Sequence, residues 1–252
     1  MNILIPMAGA GSRFKKEGYK ISKPLILVNQ KPMVVEATNH LPKGDKYIYI
    51  CRRNNIEDDH VDKEIKKYYP YSKFITVNNL TDGQASTCLL AKEEINNNEE
   101  LIIGACDNGM LWDNKKYSRE KKDADCLVWS FRKNITVVNK PEAYGWVEVN
   151  EENFAKRVSV KVPISNNPLS DHAVVGTFWF QKGKYFVEAA NKMIAKNRRI
   201  NNEFYVDECI NDLIKAGLRV KVFEVNKYIC WGTPNDLKTY EYWQQFHETQ
   251  NF

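Results

Sequence analysis

The chain has 252 residues, with 37 basic and 32 acidic side chains and a net charge of +5. Its length and 43% hydrophobic content suffice for a sizeable core, which excludes a disordered or fibrous chain. No apolar run approaches the roughly 18 residues that a membrane span needs. The opening residues Met1 to Gly11 lack the basic region of a secretory leader and read as a buried strand, so a cytoplasmic protein is expected.

The charge is spread rather than concentrated. Lys63, Glu64, Lys66 and Lys67 alternate in sign, as do Arg119, Glu120, Lys121, Lys122 and Asp123, which describes solvated faces. A duplex-binding protein would cluster its positives, so no nucleic-acid partner is expected. Cysteines 51, 88, 106, 126, 209 and 230 show no C-x-x-C spacing and read as reduced core thiols. The four histidines (His40, His60, His172, His247) are scattered, which argues against zinc.

In chain order, strands are predicted at 2–7, 47–51, 74–77, 101–105 and 126–131, with helices at 33–40, 58–69 and 85–95 between several of them. Strands alternating with helices predict βαβ units and a mostly parallel sheet. From about Tyr144 the pattern changes. Strands at 146–149, 157–162 and 174–180 follow one another with little helix between, which suggests antiparallel additions. Helices at 184–195 and 206–216, a strand at 219–225 and a closing helix at 235–246 complete the chain. No Pro/Gly/Ser-rich linker divides it. The reading is one α/β domain over 1–252, with a nucleotide-type half at about 1–140 and a half completing the pocket at about 141–252.

The first strand runs into Ala8-Gly9-Ala10-Gly11-Ser12-Arg13-Phe14. A glycine-rich turn at that place offers backbone N–H groups to an anion. A dinucleotide fingerprint would need a third glycine where Phe14 stands, and the ATPase P-loop motif is absent. The remaining reading joins G-x-G-S-R-F to Lys23-Pro24-Leu25. The loop amides wrap a triphosphate, and Arg13 and Lys23 neutralise the departing pyrophosphate.

These residues resemble the sugar-phosphate nucleotidylyltransferase family, and the resemblance continues in order down almost the whole chain. It implies a Rossmann-like nucleotidyltransferase fold with a mixed, mostly parallel central sheet flanked by helices. Thr81-Asp82-Gly83-Gln84-Ala85-Ser86-Thr87 looks like the family's base-reading loop. There Gly83, Gln84 and Ser86 join the nucleotide site, although Gln84 also suits the first turn of a helix. Gly104-Ala105-Cys106-Asp107-Asn108 looks like the family's G-D-N, which implies that Asp107 binds Mg²⁺ and faces the acceptor. Pro141 to Val149, with Tyr144 and Gly145, resembles the stretch beside the acceptor. Lys161 lies where the family has the lysine of E-K-P, which holds the acceptor and α-phosphates. Here the Glu is missing and Val162 intervenes. Asn202-Glu203-Phe204-Tyr205-Val206-Asp207 looks like the loop closing over the acceptor, with Glu203 as its direct contact or as a helix-start acid.

Trp231-Gly232-Thr233-Pro234-Asn235-Asp236-Leu237 resembles the family's late G-T-P-x-D-L. Cys230 stands where the family has a second metal-binding aspartate, and Asp236 is read as an N-terminal cap. The implied chemistry is nucleotidyl transfer by positioning and charge compensation, with no His–carboxylate or Ser–His motif required. Among compact members the pattern looks most like the cytidylyltransferases of capsule phosphoramidate synthesis, which couple CTP to L-glutamine phosphate. A sugar-1-phosphate nucleotidylyltransferase is the alternative. No hexapeptide repeat follows the closing helix, so no β-helix is expected.

Overall fold

A computed structural model describes residues 1–249; positions 250–252 of the expected domain lie outside the described residues. The strands in chain order are β1 (Asn2–Pro6), the short hairpin β2 (Leu27–Val28) and β3 (Lys31–Pro32), β4 (Lys46–Arg52), β5 (Lys73–Val77), β6 (Leu101–Ile103) and β7 (Asn108–Leu111). Then come β8 (Cys126–Phe131), β9 (Gly145–Val149), β10 (Ala155–Val160), β11 (His172–Phe180), β12 (Val220–Glu224) and β13 (Lys227–Cys230).

Nine of these strands form one mixed sheet in the order β10-β9-β11-β6-β1-β4-β5, with β8 and β12 branching from β11. The pairs β6–β1, β1–β4 and β4–β5 are parallel, and β11 runs antiparallel to β6, β8 and β9. β1 lies at the centre because its sequence, Asn-Ile-Leu-Ile-Pro, suits burial on both faces. Leu4 packs into one layer with Ile48 and Ile103, while Ile3 and Ile5 enter the other with Tyr49 and Ile102. Trp129 and Trp179 are almost wholly buried in the second layer. Burying a large apolar side chain is worth about 1.5–3 kcal/mol.

The sheet can branch because β11 changes register between Val174 and Phe178, where Gly176 has φ +89°. That left-handed conformation suits glycine, and the bulge hands the strand from β9 to β6. Helices Gln84–Leu89, Gly183–Ala195 and Val206–Lys215 cover one face. Helices Met33–Asn39 and Val61–Lys66 contribute to the other. The closing helix, Pro234–Thr249, joins Phe14, Met33 and Trp231 in a third apolar cluster through Leu237.

Several sequence boundaries change. The helix expected over 58–69 shortens to Val61–Lys66, starting after His60 at φ +54°, and a helix that was not expected, Arg53–Glu57, precedes it. The helix expected over 85–95 likewise becomes Gln84–Leu89 and Lys92–Ile95. The strand expected to reach 162 stops at Val160, because Lys161 turns to φ +62°. The ladder of β7 with β13 was not predicted: neither segment shows a long apolar run, and each is defined by the other.

All six cysteines are free thiols, four buried and Cys106 and Cys230 half-buried. Among the described residues no helix is long and apolar enough to cross a membrane.

Candidate active site

In open α/β sheets the natural ligand crevice lies outside the carboxyl ends of the parallel strands. Here a cleft of about 590 Å³ opens there, above β1 and β6. Ala8, Gly9, Ala10, Gly11, Ser12 and Arg13 line it from the first turn, and Lys23 from the segment behind. Gly11 takes φ +61° and its Cα faces the Lys23 side chain, so a Cβ there would add backbone strain. Gly11 precedes the short helix Ser12–Lys16, which places Ser12 and Arg13 at the cleft and buries Phe14 beneath it.

Asp107 enters from the end of β6. Its carboxylate accepts a hydrogen bond from Lys23 Nζ at 2.5 Å, with side-chain exposures of 28% and 18%. Burial alone would raise the Asp107 pKa, but the Lys23 charge and hydrogen bond, with Arg13 nearby, outweigh it and hold the carboxyl below its usual value. Burial works equally against the Lys23 ammonium, and Asp107 more than compensates, keeping it above its usual value. The pair is therefore ionised at neutral pH. Trp231 N donates to Asp107 O at 2.8 Å, so the β13 end fixes the backbone that carries this carboxylate.

Gly83 and Gln84 line the opposite wall with Thr81 and Thr87. Gly83 has φ +115°, and a Cβ there would lie 2.6 Å from Phe204 N and 2.7 Å from Phe204 O. Its carbonyl accepts from Thr87 N at 3.0 Å, Thr87 Oγ1 at 3.0 Å and Thr81 Oγ1 at 3.2 Å. The helix thus begins with Gln84 presented to the cleft. Ser86 does not line it; one position further along the helix, Thr87 does.

Glu203 and Tyr205 close the wall from the other half of the chain. Tyr144, Gly145 and Lys161 do not line the cleft, and of the three Lys161 lies beside Tyr205. Lys161 N donates to Tyr144 O at 3.1 Å, and its ammonium donates to Ala143 O and lies 5.5 Å from the Tyr205 ring centroid. Burial lowers the Lys161 pKa, with Asp207 and Glu203 opposing. Gly145 is required by Asp207: a Cβ there would sit 2.1 Å from Asp207 Oδ2. Burial pushes the Asp207 carboxyl up to about 6, with Lys161 opposing.

Asp236 stands in the first turn of the closing helix as expected, and shares its capping with Thr233. Thr233 Oγ1 accepts from Asp236 N at 3.2 Å and donates to Asp236 Oδ2 at 2.6 Å, so Thr233 caps the closing helix. Sequence reasoning also passed over Thr81, Thr87, Tyr205 and Asp207. Their signal was present: the threonines bracket Gly83, and Tyr205 and Asp207 flank the start of an amphipathic helix.

The donor set suits a hard cation only in part. Among the described residues no group of three or more His, Cys, Asp or Glu could hold a metal. Burial pushes the neighbouring Cys106 and Cys230 thiols up to about 12, so at neutral pH they are protonated. Asp107 remains as one ionised carboxylate, the minimum from which Mg²⁺ is held when phosphate oxygens and water complete its shell.

A family model described as nucleotidyl transferase matches residues 3–244. Among solved structures, a nucleoside-diphosphate-sugar pyrophosphorylase from Vibrio cholerae RC9 superposes with TM-score 0.76 at 19% identity, over 94% of this chain and 98% of its own. A putative glucose-1-phosphate thymidylyltransferase from Bacillus anthracis gives 0.72 at 19%, over 95% and 93%. An inositol-1-phosphate CTP transferase from T. maritima gives 0.71 at 14%, over 95% and 93%. At such identities the likeness is one of fold. No curated protein matches the chain in sequence at a significant level.

Proposed function

The chain belongs to the nucleotidyl transferase family, and from that premise we propose that it transfers a nucleoside monophosphate from a triphosphate to a phosphorylated small metabolite, releasing pyrophosphate. The observation that carries this reading is the convergence of the glycine turn, Arg13 and the Lys23–Asp107 pair on one cleft at the carboxyl ends of β1 and β6. Glycine-turn amides at a helix start favour phosphate. In this reading Ala8 to Ser12 hold the triphosphate, Gly83 and Gln84 receive the base with Thr87 in the place expected of Ser86, and Arg13 and Lys23 bind the β- and γ-phosphates. Lys161, Tyr144, Gly145 and Glu203 serve the acceptor within the half at 141–252. The Lys161 ammonium donates one hydrogen bond to Ala143 O and keeps further donors for a phosphate oxygen.

Asp107 is the residue that would hold Mg²⁺, which when bound supplies charge compensation between the phosphate groups and the carboxylate. The chain's own groups do the rest. The acceptor phosphate is ionised near neutral pH and attacks the α-phosphorus in line, so no general base is needed. Lys23, already charged against Asp107, neutralises the negative charge that builds on the leaving pyrophosphate.

We infer CTP as the donor and L-glutamine phosphate as the acceptor, giving CDP-L-glutamine for capsule phosphoramidate. The support is the motif resemblance, and the fold likeness to a CTP transferase accords with it. A sugar-1-phosphate acceptor is the second reading, favoured by the likeness to sugar-nucleotide enzymes. Pyrophosphate release measured across four triphosphates, with glutamine phosphate and glucose-1-phosphate in parallel, separates them. Turnover with CTP and glutamine phosphate alone is expected; turnover with glucose-1-phosphate alone selects the second reading.

A further inference from the structure

Two loops that line the cleft come from distant parts of the chain and are fastened to each other. Phe204 N donates to Asp82 O at 2.7 Å and Ala85 N donates to Phe204 O at 2.9 Å. These two bonds enclose Gly83, whose missing Cβ is what lets the Phe204 backbone approach. The second loop is itself a tight turn. Ile200 and Glu203 exchange both backbone hydrogen bonds at 2.9 Å, and Asn201 and Asn202 take φ +49° and +64° between them. Asparagine tolerates that conformation better than most residues.

Arg199 sits where the two loops meet, and every part of its guanidinium is used. Nε donates to Asn197 Oδ1 at 2.8 Å and Nη1 to Asn202 O at 3.1 Å. Nη2 donates to Asp82 Oδ2 at 2.8 Å, across to the Gly83 loop. The planar group also lies 4.1 Å from the Phe204 ring centroid. An exposed ion pair is ordinarily worth little, because long side chains lose entropy when fixed. Here one side chain holds the Asn-Asn turn, the Phe204 ring and the opposite loop at once, which a planar five-donor fork can do and an ammonium cannot.

We propose that Arg199 is a positioning residue that makes the 80–84 and 199–205 loops a single clamp, so that a triphosphate ordering the first loop also orders the Glu203–Tyr205 wall for the acceptor. This rests on the reading of the cleft as a nucleotidyl transfer site. Because coupling between two bound ligands is reciprocal, the acceptor tightens the triphosphate by the same factor. An exposed ion pair with a stacked cation–π contact makes that factor about tenfold.

Amide hydrogen exchange of the full chain, with and without each of the four triphosphates and Mg²⁺, tests the clamp. In the wild type the bound triphosphate is expected to slow exchange at 8–14, at 80–89 and at 199–206. In Arg199→Gln and in Asp82→Asn the slowing at 8–14 should persist, while that at 199–206 falls by about tenfold. Arg199→Lys should restore it in part. Unchanged protection at 199–206 in both variants overturns the proposal, as does wild-type protection that stops at 80–89. Failure of every triphosphate to protect 8–14 in the wild type overturns the transfer-site reading, and the clamp with it.

Discussion

On the glycine-turn side of the cleft, Gly11, Arg13, Lys23 and Asp107 reach one space from neighbouring ends of β1 and β6, and the ion pair among them is already closed. On the far side, Glu203 and Tyr205 meet the cleft beside Gly83 and Gln84, while Lys161, Tyr144 and Gly145 do not line it, Lys161 being bound to a backbone carbonyl. The first side is built from parallel strands whose carboxyl ends must lie together. The second is assembled from antiparallel strands, a left-handed turn at Lys161 and the Asn201-Asn202 turn. The first side carries a closed ion pair; the lysine of the second is held by a backbone carbonyl and does not line the cleft. A ligand on the first side meets Lys23 and Asp107 directly, and one on the second reaches Lys161 when that side chain turns toward the cleft.

Substitutions that break one side and not the other sharpen this contrast. The largest effect is expected for Asp107→Asn, which leaves Lys23 without its partner and removes the ionised carboxylate. Pyrophosphate release should fall about a thousandfold or more with the fold retained by circular dichroism. A near-normal rate would make Asp107 a turn residue. Arg13→Ala comes next, with kcat/KM for the triphosphate about a hundredfold lower and the acceptor KM little changed. Weakening confined to the acceptor would reverse the assignment of the two sides.

The far side is tested by Asp207, whose pKa is about 6 in the folded chain. An unfolded aspartate titrates near 4, so as the pH rises the unfolded chain loses this proton first. The stability from this group is complete below about pH 4 and is lost between about pH 4 and 6. Asp207→Asn cannot ionise. Its stability by urea unfolding, taken relative to wild type, is expected to rise by on the order of 2–3 kcal/mol from pH 4 to 7. A difference that does not change with pH would mean that burial does not hold the carboxyl protonated.

The same contrast governs what could be seen in the sequence. The glycine turn and Asp107 were legible because an apolar run ends and the next residues face the crevice; Lys23, in the short turn Lys23–Leu25, was legible from its spacing after the glycine turn. Gly83 was legible as part of the base-reading loop, but its close approach to Phe204 was not, since no local signal links positions so far apart. Lys161 was read on a strand, and its left-handed turn was hidden because a single positive φ leaves no trace in hydrophobic periodicity. The β7–β13 ladder was missed for the same reason: each short strand is stabilised by its partner rather than by its own sequence. That Thr87 rather than Ser86 meets the cleft was not legible, because residue type without the helix phase does not say which side chain faces it.

Every assignment above depends on the cleft over β1 and β6 moving a nucleotidyl group. The most direct measurement is mass spectrometry of the products formed by wild type and Asp107→Asn from four triphosphates and a mixture of phosphorylated metabolites. The wild type should give a nucleoside-diphosphate-linked acceptor and one equivalent of pyrophosphate, and Asp107→Asn should give neither. Absence of any nucleotidylated product from the wild type, or its formation at equal rate by both proteins, would contradict it.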